Sequence, residues 1–299
     1  MSLSIRLNKP NASFIPGDVL DGFVVIQSAS KRKHMGITVK AEGVVNLHAF
    51  RDGVLDSFAS GSTSNKILEE EVTVEEPGKL PEGEVEFPFQ LTLKPLEGKR
   101  LFESYSGVYV SVNYMLTAHI QGGLFGKSME KTSEFYILIP VTKQVDPKPL
   151  PFSITKDSLR NSADADALPH FSIEGKLDSC LCDLSRPLTG SLTITNCENK
   201  IKSIEAQVLR IETIGPINDR ATESTEIMNI QLAMDDPPRN IELPIYVLFP
   251  KLFVCSSTDD DNFKVQFQLN ITVTLDNNFF ISESLGFKLF RSSFVDLFH

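Results

Sequence analysis

Residues 263–275 read FKVQFQLNITVTL. Phe263, Val265, Phe267, Leu269, Ile271, Val273 and Leu275 are apolar, and Lys264, Gln266, Gln268, Asn270, Thr272 and Thr274 stand between them. An alternation this regular is the signature of a strand with one buried and one wet face. At about 3.3 Å per residue the run spans roughly 43 Å, longer than most strands, so a bend or bulge is expected in it. The same phase appears 155 residues earlier, in Val108, Val110, Val112, Tyr114, Leu116, Ala118 and Ile120.

Other landmarks recur in the same order. VEFPFQLTL (85–93) echoes IELPIYVLF (241–249), with Pro88 against Pro244. Ile37, Val39 and Ala41 match Ile204, Ala206 and Val208, and Leu101-Phe102 matches Leu252-Phe253. PGDVLDGFVVI (16–26) and SRPLTGSLTI (185–194) both place Gly two residues after Leu, as Leu20/Gly22 and Leu188/Gly190. The spacings between landmarks drift by loop-sized amounts, as insertions at surface turns would cause. An ordered set of this kind indicates a duplicated β domain. No segment sustains a 3.6-residue period, and only TKDSLRN (155–161) suggests a helical turn. IPVTKQVDPKPLPF (139–152) carries prolines at 140, 147, 149 and 151 and reads as a short, stiff connector. The expected architecture is all-β: two tandem β-sandwiches, at 1–145 and 150–299, joined by this Pro-rich linker. True immunoglobulin domains want a core Trp, and this chain has none.

Composition narrows the function. Each half of 299 residues is long enough to bury its own core. A net charge of −10 argues against general nucleic-acid binding, which needs a basic face to displace counterions from phosphates. SLSIRLNKP after Met1 alternates like a strand and lacks the basic and apolar regions of a signal peptide. FYILIPV (135–141) is far too short to span a membrane. Four cysteines are too few for a disulfide scaffold. A cytosolic chain with reduced thiols is expected, so the sequons at Asn11 and Asn270 are chance matches.

Catalytic chemistry is not suggested. His34, His48, His119, His170 and His299 form no metal-binding motif. Cys180-Leu-Cys182 lacks a second pair or a histidine and reads as structural. Nucleotide-binding and nucleophile-elbow motifs are missing, and GGLFG (122–126) reads as a hairpin tip. Asp259-Asp260-Asp261 and Asp164-x-Asp166 do not keep EF-hand spacing. Glu69-Glu70-Glu71 with Glu75-Glu76 suggests a charged edge strand that resists unwanted pairing. Lys31-Arg32-Lys33-His34 is either a polar turn between strands or a contact for anionic lipid. The tail FVDLFH (294–299) reads as packed on the second sandwich or as a docking peptide. No cofactor or metal is expected, and no enzymatic activity.

LFESYSGVYVSVNYML (101–116), RPLTGSLTI (186–194), RATESTEIMNIQLA (220–233), LPIYVLFPKLFVC (243–255) and NFKVQFQLNITV (262–273) extend the reading. Together they resemble the Down syndrome critical region protein 3 family, the arrestin-like subunit of the Retriever complex and a paralogue of the small arrestin-like subunit of retromer. The resemblance runs through nearly the whole chain. It implies an arrestin-like fold and a non-enzymatic role on endosomes, returning membrane-protein cargo to the cell surface. The implied partners are a large α-solenoid subunit, a small phosphoesterase-fold subunit and, indirectly, a sorting nexin and the Commander assembly. It further implies that the C-terminal sandwich docks on the solenoid through a loop just before LPIYVLF. In this chain that loop is Ile230, Leu232, Ala233, Met234, Asp235 and Asp236. Leu232 and Met234 would anchor the partner; the competing reading has Ile230 and Leu232 alternating into the core of a strand. The chain departs from the family at DDPPRN (235–240), where two prolines replace a flexible tip. Two other functions compete. A free-standing arrestin-type cargo adaptor would carry PPxY, whereas Pro237-Pro238 is followed by Arg-Asn. A β-sandwich enzyme or sugar binder would need a ligand cluster or an aromatic platform.

Overall fold

The computed structural model describes all residues except 49–62, 124–126, 142–144, 157–169, 217–219, 251–253, 278 and 294–299. The chain divides into two compact units, Met1–Ile139 and Pro140–His299. The first holds β1 (Ser2–Leu7), β2 (Ser13–Phe14), β3 (Val19–Ser28), β4 (Arg32–Leu47), β5 (Thr63–Glu75), β6 (Gly78–Leu80), β7 (Gly83–Thr92), β8 (Tyr105–Ser106), β9 (Val110–Gly122) and β10 (Met129–Ile137). The second holds β11 (Pro140–Val141), β12 (Leu150–Thr155), β13 (Phe171–Leu177), β14 (Leu181–Asp183), β15 (Leu188–Cys197), β16 (Ile201–Ile214), β17 (Ala221–Met234), β18 (Glu242–Val247), β19 (Thr258–Asp259), β20 (Phe263–Leu275) and β21 (Phe280–Ser292). There is no α-helix among the described residues. TKDSLRN lies almost wholly outside them, as do the tip of GGLFG, Asp164-x-Asp166, Leu252-Phe253 and the tail FVDLFH.

The two units repeat one plan. In the first, a seven-stranded sheet has the path β2-β10-β9-β4-β5 and a smaller sheet runs β1-β3-β7. In the second, the corresponding paths are β11-β21-β20-β16-β17 and β12-β13-β15-β18. FKVQFQLNITVTL is β20, with Phe263, Val265, Phe267, Leu269, Ile271, Val273 and Leu275 all buried; its counterpart β9 buries Val110 through Ile120 in the same phase. Each is flanked on both sides in its sheet, which is why its inward face is uninterrupted.

The repeated Leu-x-Gly has one physical reason in both halves. Gly22 pairs with Phe89 and Leu7, and Gly190 with Ile245 and Leu177. A Cβ on Gly22 would fall on the carbonyl oxygen of Arg6, and one on Gly190 on that of Lys176. Both glycines therefore let a neighbouring strand cross close to the inward face. Pro88 and Pro244 precede the paired Phe89 and Ile245 and lie on the edge strands β7 and β18, where the missing N–H leaves no gap in a ladder.

The Pro-rich stretch is less of a free connector than its composition suggests. Pro140-Val141 pairs parallel with Arg291-Ser292, and Leu150–Thr155 pairs with β13. Pro151 is accommodated because β12 is again an edge strand.

Each core has an aromatic centre. Tyr114 stands 5.6 Å from Phe135, its hydroxyl donating to the carbonyl of Phe102 at 2.7 Å and accepting from the Phe102 N–H at 3.2 Å. Burial drives the Tyr114 pKa well above its ordinary value. In the second unit Phe287 lies between Phe267 and Phe249, at 6.2 and 5.8 Å. β16 departs from an apolar phase: Arg210 and Glu212 occupy inward positions, both buried, with Nε to Oε1 at 3.0 Å.

Candidate partner-docking site

The expected docking residues lie at one end of the second unit, but most of them are not in a loop. Ile230, Leu232, Ala233 and Met234 belong to β17, the edge strand paired with β16; only Asp235 and Asp236 start the turn. Ile230 pairs with the buried Ala206 and Ala233 with the buried Ile204, so both take the inward phase and are half-buried. Leu232 falls between the pairs Glu205↔Gln231 and Ile204↔Ala233; it is the extra residue of a bulge and is half-buried. Met234 faces outward and is 58% exposed. The residues implied by resemblance are therefore one region in space, but only Met234 among the apolar ones is open to a partner.

Beyond the strand, the DDPPRN tip is pinned. Asp235 and Asp236 adopt the left-handed region, φ 54° and 55°, and Asn240 does so at 59°, all residue types whose short polar side chains tolerate it. The N–H of Asp236 donates to the carbonyl of Ile201 at 2.7 Å, and Asp236 Oδ1 accepts from the N–H of Ile201 at 3.2 Å. Arg239 donates to Asp236 Oδ1 at 2.8 Å, to the carbonyl of Pro237 at 2.6 Å, and to those of Cys197 and Asn199 at 3.4 and 3.3 Å. The Arg239 bond, helped by the Ile201 N–H, holds the Asp236 carboxyl below the usual range. The N–H of Asn240 donates to Ile194 in the other sheet at 2.8 Å. Pro237 is buried beneath this clamp. The two prolines thus sit in a braced platform that ties the β17 end to the β15–β16 turn.

Around that platform three apolar side chains face water. Met234 lies opposite Ser203, Ser203 opposite Thr274, and Thr274 opposite Phe280, so the four form one row across the sheet. Three strand spacings separate its ends by about 14 Å. Phe280 is 71% exposed, and Ile241, just past the tip, is 50% exposed. Elsewhere on this outer face the pairs Asn270↔Ser284 and Thr272↔Ser282 are polar, so apolar exposure is concentrated at the end. Phe280 and Ile241 were not anticipated. The signal for Phe280 was the pair Phe279-Phe280 at the entry to β21, two aromatics where one inward phase needs only one.

The remaining motifs find structural places. Cys182 is buried, its thiol pushed up to about 12 by burial and then by Cys180. Among the described residues no group of three or more His, Cys, Asp or Glu could hold a metal. Asp259 is paired with Lys264 at 2.7 Å. Glu69–Glu71 and Glu75 lie on β5, an edge strand of its sheet. No helix of the described residues is long and apolar enough to cross a membrane.

Two all-β units of matching topology define an arrestin-like double sandwich. The sequence model of vacuolar protein sorting-associated protein 26 matches residues 7–278. A Dictyostelium discoideum protein, vacuolar protein sorting-associated protein 26C, is 35% identical over 301 aligned positions, covering 97% of this chain and 99% of that protein. The chain belongs to the vacuolar protein sorting-associated protein 26 family. Membership makes it a protein-sorting component with an arrestin-like fold.

Proposed function

We propose that the chain is the arrestin-like, non-enzymatic subunit of an endosomal retrieval complex of the Retriever type, acting within Commander to return membrane-protein cargo to the cell surface. It works from the cytoplasmic side, peripheral to the endosome. The second unit docks on a large α-solenoid subunit; a small phosphoesterase-fold subunit joins the same complex, and sorting nexin contact is indirect. The family and the similarity to a protein named 26C support the sorting role. The observation that carries the docking reading is the braced DDPPRN platform with Met234, Ile241 and Phe280 exposed around it. Exposed apolar anchors on a rigid support lose little conformational entropy on binding.

The test is capture from cytosol with the tagged full chain beside Met234→Asp. Met234 is mostly exposed, so the variant keeps its fold, checked by circular dichroism. Wild type is expected to retain a large helical subunit and the variant to lose most of it, a cost of about 2 kcal/mol or more for a burial-site anchor. Equal retention by both moves the contact elsewhere. A wild type that comes down alone favours the free-standing cargo adaptor.

A further inference from the structure

We infer that the β4–β6 end of the first unit is a contact surface for an anionic lipid membrane, carried by Lys31, Arg32, Lys33, Lys79 and Lys127. This goes beyond the sorting reading and does not depend on the docking site. Three chain segments bring the bases together. Arg32 and Lys33 start β4 and pair with Leu80 and Lys79 of β6, so Lys33 and Lys79 stand directly opposite each other. His34 pairs with Gly122 at the end of β9, and a Cβ on Gly123 would approach that of Lys33 to 3.8 Å. The Gly122 N–H donates to Ser128 Oγ at 3.0 Å, which sets Lys127 at the same end. All five bases are exposed.

Like charges facing each other across a strand pair are unfavourable. Several other bases of this unit are paired: Lys40 and Lys66 each contact both Glu42 and Glu69, and Arg6 is bidentate to Glu86. None of the ion pairs among the described residues involves Lys31, Arg32, Lys33, Lys79 or Lys127. Glu75, Glu76 and Glu82 are exposed near the turns of β6, yet none makes an ion pair with these lysines. In a chain of net charge −10, a cluster of five exposed bases without ion pairs among the described residues is a place where negative charge is supplied from outside.

Lipid fits better than a shaped acidic partner for two reasons. The charges sit on long, separately exposed side chains, which a fluid layer of headgroups can meet without matching a fixed geometry. Met35 lies two residues beyond Lys33 on the same face, 50% exposed at a strand irregularity, and supplies an apolar group to the interface beside the bases.

The experiment is co-sedimentation of the full chain with vesicles of phosphatidylcholine alone and of phosphatidylcholine with phosphatidylserine at roughly 2:1. Each base near such a surface is worth about five-fold in affinity. Lys33→Ser with Lys79→Ser is expected to lower binding to the anionic vesicles about 25-fold, while Lys33→Arg with Lys79→Arg retains it. Relieving a like-charge pair does not threaten the fold, which circular dichroism confirms. Binding that ignores phosphatidylserine, or a serine variant within about two-fold of wild type, overturns the proposal. So does a wild type that leaves vesicles in solution but is held, through these lysines, on immobilised polyglutamate, which assigns the surface to an acidic protein.

Discussion

Gly190 and Arg210 show what single residues contribute in opposite ways, one by lacking a side chain and the other by keeping a charge in a core. Gly190→Ala places a methyl on the Lys176 carbonyl and 3.2 Å from Leu177 Cδ2. Overpacking of this kind costs about 1–3 kcal/mol. Gly22→Ala is expected to match it in the first unit. Gly286→Ala, where a Cβ meets nothing within 4 Å, serves as the neutral control in the same denaturant titration. Arg210 and Glu212 are both almost fully buried. Removing Glu212 takes a charge-assisted contact from a buried guanidinium, so Glu212→Ala should destabilise by about 1.5–3 kcal/mol. Arg210→Met with Glu212→Leu should recover most of that loss; a double variant as unstable as the single would show that the pair itself is not what Glu212 supports.

Elements were legible where the alternation was clean and less so where a strand bulges. β20 and β9 could be read directly, because both faces of the pleat were written in sequence. The end of β17 is a loop only by the family resemblance; its residues also read as a strand, with an irregular alternation. Its ladder skips Ile227 and Leu232, leaving the half-buried pairs Ile227-Met228 and Leu232-Ala233 side by side in ATESTEIMNIQLAM. Two adjacent apolar residues inside an alternating run are the mark of a bulge, and they put Leu232 out of the phase that a regular strand would give it. Phe280 shares Met234's row only through three pairings that link four strands, so its aromatic is visible in the sequence but its place in the row is not. The β4–β5 pair carries a further expectation. Lys40 and Lys66 bridge Glu42 and Glu69 at 2.7–2.9 Å, with Glu69 held at about 2. Hydrogen bonds from Lys40 and then Lys66 are the cause for both carboxyls, and Glu42 is likewise lowered. A carboxyl depressed in the folded state stabilises above its unfolded pKa and ceases to do so as pH falls through the folded value. Glu69→Gln should therefore lower the melting temperature slightly at pH 7. The gap should close as the pH falls from about 4.3 towards about 2, and it should shrink in high salt because the network is exposed. A gap that is constant with pH would mean that Glu69 acts by packing.

At the scale of the whole molecule, two copies of one sandwich plan end in different surfaces. The first copy ends in a basic surface at β4–β6 without ion pairs among the described residues. The second ends in a braced platform ringed by Met234, Ile241 and Phe280. Duplication was readable from the order of landmarks alone, because core phases are constrained while turns drift. The divergence was not, since it lies in which exposed residues lack a partner. That property depends on the folded surface and not on any period. The most direct measurement is hydrogen–deuterium exchange of the full chain alone and bound to the solenoid subunit it captures. Protection is expected over 227–241 and 276–284, with the rest of the second unit unchanged. Protection confined to the first unit, or none at either of those segments, would contradict the docking account.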